Sequence, residues 1–423
     1  MSTSLTRGTL ALAVLATGPA LADEGMWTFD NPPTRKLRDA YGFEPTQEWL
    51  DKVRLASVRF MDGGSGSFVS ADGLMITNHH VGLGCIQNLS SAKNDYVKSG
   101  FYAPTRDEEA PCPGYEVNVL MSVSDSTPSV LGAVKPQMSD KEAREARKAA
   151  ITKIENECNT ATGLRCNVVT LYQGGEFHLY RYKKYTDVRL VFAPEQQIAF
   201  FGGDPDNFTF PRHDVDICLM RAYENDRPAK PGAFLPFSTA GVAEGDLVFV
   251  SGNPGSTSRL DTVAQLQAER DVAMPLSLDL LHRRVKVLRD YSARGPEQER
   301  RAKAQLFSYE NSLKARDGLL SALQDAKAMA RKVEDEKELR AKVAADPALA
   351  ASTGAAWAAI ETAEKRAAER VSESLLVGFG GSRLLGIAGS IVRYVAEVRR
   401  PIGRASCRER VTEQCRSRWS PYH

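Results

Sequence analysis

The sequence lacks an excess of charge of either sign and a hydrophobic run long enough to cross a membrane. Its 423 residues carry a net charge of +2, with 26% charged side chains. This balance disfavours nucleic acid and acidic membrane surfaces as partners. The apolar stretch at residues 9–17 is much shorter than the about 20 residues that span a bilayer. No membrane span is therefore expected.

Spacing that is typical of metal ligands is also missing. The chain has no Cys-x-x-Cys pair, and its 6 histidines do not follow the separations found in zinc sites. The adjacent His79 and His80 would point to opposite sides of a strand, which disfavours a shared metal ion. We expect neither a metal centre nor a cofactor.

The first 22 residues have the composition of a secretory signal. Arg7 is a positively charged start, residues 9–17 are apolar, and Ala20-Leu21-Ala22 is a small-residue cleavage site. The mature protein is expected to begin near Asp23. This predicts export, and a periplasmic location in a Gram-negative bacterium.

Export makes disulfides permissible. Among the 7 cysteines, Cys158 and Cys166 flank a short segment that a disulfide could close. Cys85 and Cys112 could join a histidine-bearing segment to the residues that follow it. The sequence leaves the connectivity open. Cys218 lies in an apolar run and is expected to be a buried free thiol.

Composition divides the chain into unlike regions. Residues 23–259 carry most of the strand signals, ending with an apolar run at Asp246–Ser251. Residues 260–400 are rich in Ala, Leu, Lys, Arg and Glu at helical spacing, which predicts an incomplete helical domain, appended or inserted. Residues 401–423 lack periodicity and are predicted to be a non-native tail, from a truncated gene fragment or a sequencing adapter.

A predicted hairpin at residues 63–87 organises the β region. Two short apolar runs flank Asp72-Gly73, a strong hairpin signal. The second run, Leu74–Thr77, leads directly into Asn78, His79 and His80. A histidine held at a strand end suits a catalytic base. The alternative at this position is a structural or solvated histidine.

A second segment, residues 200–223, places acids beside apolar side chains. Pro211-Arg212-His213 leads into a predicted strand in which Asp216 shares a face with Cys218 and Met220. A carboxylate in an apolar strand costs several kcal/mol unless it is paired. We therefore expect Asp216 to have a partner, for which a histidine is the obvious candidate. Asp214 is expected on the opposite face, in solvent.

Three motifs together resemble a known family. Thr-Asn-His-His at 77–80, Asp-Asn-Phe-Thr-Phe-Pro-Arg-His-Asp-Val-Asp at 206–216 and Ser-Gly-Asn-Pro-Gly-Ser-Thr-Ser-Arg at 251–259 resemble the bacterial dipeptidyl-peptidase family of trypsin-like serine exopeptidases, of the dipeptidyl-peptidase 7 and 11 type. The resemblance covers residues 23–399. It implies an α+β, mainly β fold: a chymotrypsin-like double β-barrel, here its N-terminal portion, with an inserted α-helical domain. It also implies an enzyme that releases dipeptides from peptide N-termini through an acyl-enzyme.

The resemblance assigns roles to single residues. His80 corresponds to the base and Asp216 to the acid that orients it, in the trypsin-like order of base, acid and serine. Asn207, Phe208 and Asn311 correspond to residues that bind the substrate's free amino terminus, since asparagine carbonyl oxygens accept hydrogen bonds from an ammonium group. Taken alone, Asn207 is typical of a turn and Asn311 of an exposed helix position.

The sequence departs from the family pattern in two places. Val81 stands where many relatives have cysteine. The nucleophilic serine, which the family carries in a Gly-x-Ser-Gly loop downstream of the helical domain, is absent from this chain. Ser65, Ser251 and Ser382 lie beside glycines but are typical of turns and helix ends. The chain as given is thus expected to be inactive.

Two alternatives to a dipeptidyl peptidase remain open. One is a trypsin-like endopeptidase, which needs no site for an amino terminus. The other is a non-catalytic exported protein that binds peptides through its helical domain. The preferred hypothesis predicts peptides with free N-termini as partners, and a homodimer for the full-length protein.

Overall fold

The computed structural model describes residues 25–60, 64–91, 93–254, 257–377 and 383–398. The predicted signal sequence at 1–22, Ser382 and the predicted non-native tail at 401–423 lie outside these residues.

Alternating burial along short apolar segments builds an antiparallel sheet, of eleven strands in the described part of the chain. The strands are β1 Ser57–Phe60, β2 Gly64–Phe68, β3 Leu74–Thr77, β4 Phe101–Tyr102, β5 Ala110–Pro111, β6 Val117–Asp125, β7 Arg165–Leu171, β8 Glu176–Tyr185, β9 Asp187–Ala193, β10 Cys218–Glu224 and β11 Arg227–Pro228. The hydrogen-bonded order is β4-β9-β10-β3-β2-β1-β6-β8-β7; β11 also pairs with β10, and β5 with β9.

Helices surround the sheet and make up the region after residue 262. They are α1 Thr34–Tyr41, α2 Gln47–Ala56, α3 His79–Leu89, α4 Tyr96–Ser99, α5 Thr127–Leu131, α6 Asp140–Thr162, α7 Gln196–Ala199, α8 Gly203–Asp206, α9 Val263–Ala268, α10 Met274–Ser292, α11 Pro296–Gln324, α12 Ala326–Ala345, α13 Pro347–Thr353, α14 Ala356–Val377 and α15 Arg383–Val398. A π-helical turn, Glu269–Ala273, joins α9 to α10.

The predicted hairpin is present as β2 and β3. The strands pair antiparallel, with Gly66 opposite Thr77, and Gly73 turns the chain with a φ of 69°. Gly66 is required by packing, because a Cβ there would lie 2.6 Å from the Phe60 ring. The glycine-rich approach thus lets β2 lie close against β1.

The hydrophobic core lies on one side of this sheet. Its largest fully buried side chains include Phe60, Phe68, Met75, Ile86, Leu190 and Met220. Lys183 of β8 contacts Glu224 of β10 at 2.9 Å, although these strands are far apart in the hydrogen-bonded order. The sheet therefore curls, which brings distant strands together around the core.

One predicted strand is wrong. Residues 246–251 form no strand and have no ladder partner in the described chain. Val250 is 98% exposed, while the Phe249 ring packs against Phe43 and Trp49, with centroids 5.3 and 4.9 Å away. Apolar composition favours a strand only where a neighbour can accept its backbone hydrogen bonds, and the described residues offer none here.

Candidate active site

The end of strand β3 delivers two histidines to the start of helix α3. Asn78 is the N-cap, so His79 and His80 lie in the first helical turn, whereas the sequence placed them at a strand end. His79 is 3% exposed, and the His80 side chain is 67% exposed. The helix geometry thus buries one ring and presents the other to solvent.

Two contacts anchor helix α3 beneath the histidines. The hydroxyl of buried Tyr115 accepts a hydrogen bond from the Cys85 amide and donates one to the Val81 carbonyl, both at 3.0 Å. A disulfide joins Cys85 to Cys112, with Cα atoms 5.2 Å apart. These contacts fix the helix against the core, and with it the position of His80.

His80 and Asp216 form a hydrogen-bonded pair. Asp216 Oδ2 lies 2.8 Å from His80 Nδ1, and its Oδ1 accepts the His80 backbone N–H at 3.1 Å. Asn78 Nδ2 donates to Asp216 Oδ2 at 3.1 Å. The carboxylate therefore satisfies a free amide at the start of α3, and it sets the direction of the imidazole ring.

The pair shifts the pKa values of its members in opposite directions. The hydrogen bond to Asp216 raises the pKa of His80 above 6.5, although burial opposes the rise. Burial acts to raise the pKa of Asp216, but the hydrogen bonds and charge of His80 outweigh it and lower that pKa. Burial lowers the pKa of His79. Asp216 thus stabilises an imidazolium on His80, whereas burial favours the neutral form of His79.

Asp216 lies just before strand β10 and not within it, but its side chain is on the predicted face. Strand β10 begins only at Cys218, because the preceding backbone bonds elsewhere: the Val215 amide donates to Ile198 at 2.9 Å. The alternation still extends to Asp216, so its side chain points to the same side as fully buried Cys218 and Met220. Cys218 is a free thiol, as predicted.

The prediction for Asp214 is wrong. Residues two apart in an extended chain point to the same side, so Asp214 faces the same way as Asp216. Its Oδ2 lies 3.1 Å from Arg212 Nε, and the two side chains are only 23% and 18% exposed. Asp214 is thus a partner of Arg212 and is not a solvated acid.

The described serines in glycine contexts have partners other than His80. Ser65 Oγ accepts the Asn253 amide at 2.8 Å, and the Ser251 hydroxyl lies 2.8 Å from that of Ser57. The side-chain hydrogen bond of His80, in contrast, involves Asp216. Ser65 and Ser251 therefore have structural surroundings, although Ser65 lies within strand β2 and not at the predicted turn or helix end.

Two of the three residues assigned to amino-terminus binding meet where a loop contacts helix α11, and the third, Phe208, is next to one of them in sequence. Asn207 Nδ2 donates to Asn311 Oδ1 at 3.0 Å, across 104 residues of sequence. Phe208 has a left-handed φ of 61°, and its side chain is 63% exposed. Such a φ is uncommon for a bulky residue. The loop therefore presents an aromatic ring beside the asparagine pair.

The other described cysteine pair forms a structural link. A disulfide joins Cys158 of α6 to Cys166 of β7, with Cα atoms 6.0 Å apart. In the described ranges, no group of three or more histidines, cysteines and acids is arranged to hold a metal ion. Nor does any helix in that part of the chain combine the length and apolarity needed to cross a membrane.

The sequence interpretation overlooked two residues of the site. Asn78 directly precedes the histidines and bonds to Asp216, a role that its place in Thr-Asn-His-His could have suggested. Arg212, in Pro-Arg-His-Asp, donates from Nη1 to Asn207 Oδ1 at 3.1 Å. The burial of Arg212 beside an acid and an amide marks it as part of the site. Periodicity does not predict burial in a loop, so the sequence alone did not single it out.

Curated proteins similar to this chain are dipeptidyl-peptidases. The dipeptidyl-peptidase 7 of Phocaeicola vulgatus is 34% identical over 282 residues, which cover 61% of this chain and 39% of the relative. The Asp/Glu-specific dipeptidyl-peptidase of Shewanella putrefaciens is 32% identical over 284 residues, covering 63% and 38%. The chain thus spans well under half the length of these relatives.

Solved structures show the same fold. The crystal structure of Porphyromonas endodontalis DPP11 matches with a TM-score of 0.69 and 25% identity, over 82% of this chain and 52% of that one. The structure of DPP11 with the dipeptide Arg-Glu matches with a TM-score of 0.67, also at 25% identity, over 82% and 53%. The mixed arrangement of helices and antiparallel sheet is therefore shared with DPP11.

A family profile gives the most extensive match. It covers residues 22–418, from the last residue of the predicted signal into the stretch that the sequence set apart after residue 400. The dipeptidyl-peptidase relatives confirm the resemblance carried by the three motifs. The chain belongs to the Peptidase S46 family.

Proposed function

We propose that this chain carries the catalytic base, the orienting acid and part of the amino-terminus site of a serine dipeptidyl peptidase. The observation that carries the proposal is the contact of His80 Nδ1 with Asp216 Oδ2 at 2.8 Å, beside an exposed His80 ring. The names of the curated relatives support the same reaction. The nucleophilic serine is supplied by residues outside this sequence.

In this mechanism His80 moves the protons. Its Nε2 accepts the serine proton as the serine oxygen attacks the scissile carbonyl, and then gives that proton to the departing amine. Water attacks the acyl-enzyme in the second half-reaction, with His80 again as base. Asp216 holds the Nδ1 proton and stabilises the imidazolium that forms in each step.

The amino-terminus site explains why the enzyme would remove dipeptides. Asn207 and Asn311 present carbonyl oxygens, each with a second lone pair that can accept from the substrate ammonium. The exposed Phe208 ring lies in the same turn and would contact the first peptide unit. A fixed binding site for the amino terminus would set the number of substrate residues between that terminus and the bond cleaved beside His80.

The proposal also covers the fold, location and assembly of the protein. Residues 23–259 belong to a chymotrypsin-like double β-barrel, supported by the curled sheet, and residues 260–400 to its inserted helical domain. The protein is periplasmic after removal of residues 1–22, acts on peptides and is a homodimer at full length.

The proposal predicts that a free amino terminus is required for cleavage. The test uses the full-length gene product and fluorogenic dipeptidyl amides, with either a free or an acetylated amino group. The panel includes acidic and non-acidic second residues, because some of the similar relatives are named Asp/Glu-specific and others are not. We expect kcat/KM to fall at least about 100-fold on acetylation, since the ammonium loses charge-assisted hydrogen bonds.

Two results would count against this function. Equal hydrolysis of free and acetylated substrates would indicate an endopeptidase. Binding of peptides without turnover by the full-length protein, with its serine present, would indicate a binding protein. Loss of turnover in His80→Ala distinguishes the proposed chemistry from a contaminating peptidase.

A further inference from the structure

Arg212 contacts Asn207 and Phe200, two residues that in turn contact helix α11. Its Nη1 donates to Asn207 Oδ1 at 3.1 Å, and its Nε lies 3.1 Å from Asp214 Oδ2. The guanidinium carbon stacks over the Phe200 ring at 4.7 Å. That ring packs edge-on against Phe307 of α11, with centroids 5.1 Å apart. The side chain is thus held on three sides.

The contact with Asn207 determines which way that amide points. A carboxamide has an oxygen and an NH₂ group of similar shape, so its partners decide its orientation. A guanidinium can only donate hydrogen bonds, so Arg212 can bond to Oδ1 of Asn207 and not to Nδ2. The NH₂ group of Asn207 must then face Asn311, which accepts it with Oδ1 at 3.0 Å.

The direction of these hydrogen bonds leaves acceptor oxygens available to a ligand. The amino terminus of a peptide is itself a donor and needs acceptors. With Arg212 in place, both amide oxygens are fixed in position, and each retains a lone pair. If the Asn207 amide turned over, its NH₂ group would replace its oxygen, and a donor would face the incoming ammonium.

The charge of Arg212 does not oppose this role. A cation beside an ammonium site would repel the substrate, but Asp214 pairs with the guanidinium at 3.1 Å. Both side chains are more than three-quarters buried, so screening by water is limited. Nearby, Lys314 of α11 is paired in the same way with Asp204, 3.2 Å from Oδ2.

We propose that Arg212 is a positioning residue that sets the hydrogen-bond polarity of the Asn207–Asn311 pair, and thereby the selection of substrates with an unblocked amino terminus. The inference rests on the proposed function and assigns a role to a residue that does not itself contact the substrate.

The first test compares Arg212→Met with the wild type in the full-length gene product, using the same free and acetylated dipeptidyl amides. We expect KM for the free substrate to rise roughly tenfold, the loss typical of one hydrogen bond to a charged group. We expect kcat to change less than about twofold, because a loss of uniform binding leaves kcat unaltered. The preference for free over acetylated substrate should fall by the same factor as KM rises.

Arg212→Lys is the conservative variant. Its ammonium can reach one acceptor, but it lacks the rigid guanidinium that places Nη1 on Asn207 while Nε lies beside Asp214. We expect a smaller rise in KM, again at unchanged kcat. If Arg212→Met does not fold, as judged by circular dichroism, Arg212→Lys carries the test. Arg144→Met, at an exposed position of α6, is the matched control and should leave both constants unchanged.

A double-mutant cycle separates positioning from a general structural role. Asn207→Ala removes the amide that Arg212 orients, so adding Arg212→Met to it should raise KM no further. Additive increases would overturn the inference, as would a fall in kcat at unchanged KM, which would indicate an effect through Asp216. If the wild type itself fails to distinguish free from acetylated substrates, the proposed function fails. If the wild type distinguishes them and Arg212→Met does so equally well, only the role of Arg212 fails.

Discussion

The sheet region (residues 23–259) and the helical region (residues 260–400) contribute to the candidate site in different ways. In the sheet region, a continuous core includes Phe60, Met75 and Leu190 at 0% exposure. In the helical region the described side chains are packed more thinly. The 29-residue helix α11 has only Ala302 and Leu323 among its described buried residues. Large apolar side chains of α15 are exposed, among them Leu384, Ile391 and Val392.

This difference matters because the two regions hold different parts of the site. His80 and Asp216 are both attached to the sheet, through β3, α3 and the start of β10. Asn311 comes from the helical region and meets the loop through a few side-chain contacts. Changes in the helical region should therefore affect recognition of substrate. The chemistry depends on the sheet region, which also supplies Asn207 to the recognition site.

The largest effect is expected from Asp216→Asn in the full-length protein. An asparagine holds the ring less well and cannot stabilise an imidazolium, and the corresponding change in serine proteases lowers kcat about 10⁴-fold. Asn311→Ala should instead raise KM about tenfold with kcat preserved. Steady-state kinetics on a free dipeptidyl amide measures both.

Asp226→Asn is the control for this pair of variants. Asp226 lies in the turn before β11, and its side chain is 97% exposed, so both constants should stay at the wild-type level. A loss of kcat in Asn311→Ala comparable to that in Asp216→Asn would break the division between chemistry and recognition.

A smaller effect is expected on stability, from matched substitutions in the two regions. Leu190→Ala opens a cavity in the closed core and should lower the free energy of unfolding by about 3–5 kcal/mol. Leu323→Ala should cost about 2 kcal/mol or less, because a site bordered by solvent can relax around the deletion. Urea unfolding of the 423-residue chain, followed by circular dichroism and tryptophan fluorescence, measures both.

The two variants should also affect different transitions. Two regions with separate packing can unfold separately, so Leu190→Ala should move the transition of the sheet and Leu323→Ala that of the helices. Equal losses within one shared transition would show that the chain is a single cooperative unit.

The smallest effect is a difference in titration between the adjacent histidines of the sheet region. The hydrogen bond to Asp216 raises the pKa of His80 above its ordinary value of 6.5, and burial lowers that of His79. As the pH rises, His79 should therefore lose its proton before His80. Because the base must be neutral to accept a proton, kcat/KM of the full-length protein should rise with pH through the raised pKa.

Nuclear magnetic resonance of the imidazole rings measures the two titrations in the 423-residue chain. Asp216→Asn should move the His80 titration to lower pH, because it removes the hydrogen bond and charge that raise the pKa of His80. A His80 titration at or below that of His79 would contradict the assignment of Asp216 as its partner.

The hairpin and the main strands were predictable because their signals are local. Asp72-Gly73 between apolar runs specifies a turn and a register, and β6, β7, β8 and β9 follow from short runs with strand-like composition. Helix α6 begins as a surface helix should, at Ser139, whose side chain forms a reciprocal cap with Glu142. Each of these elements depends on residues that are close in sequence.

The two errors have different causes. The run at 246–251 has strand composition, but a strand also needs a neighbour to pair with, and the described chain offers none. Asp214 was placed on the wrong face, although residues two apart in an extended chain share a face. Its contact with Arg212 is local, but the burial of that pair depends on packing against Phe200, which periodicity along the chain does not show.

By itself the sequence determined the order of the elements, the presence of a histidine after the hairpin and the need of Asp216 for a partner, since these follow from spacing and from the cost of burying a charge. The family resemblance assigned His80 rather than His79 as this partner. The tertiary structure supplies the physical reason, because the first turn of α3 turns one ring inward and the other toward Asp216. Only the tertiary structure brought Asn207 to Asn311, 104 residues later, and showed that Arg212 donates a hydrogen bond to Asn207. Contacts across such separations depend on how the sheet curls and where the helices pack, which no local pattern encodes.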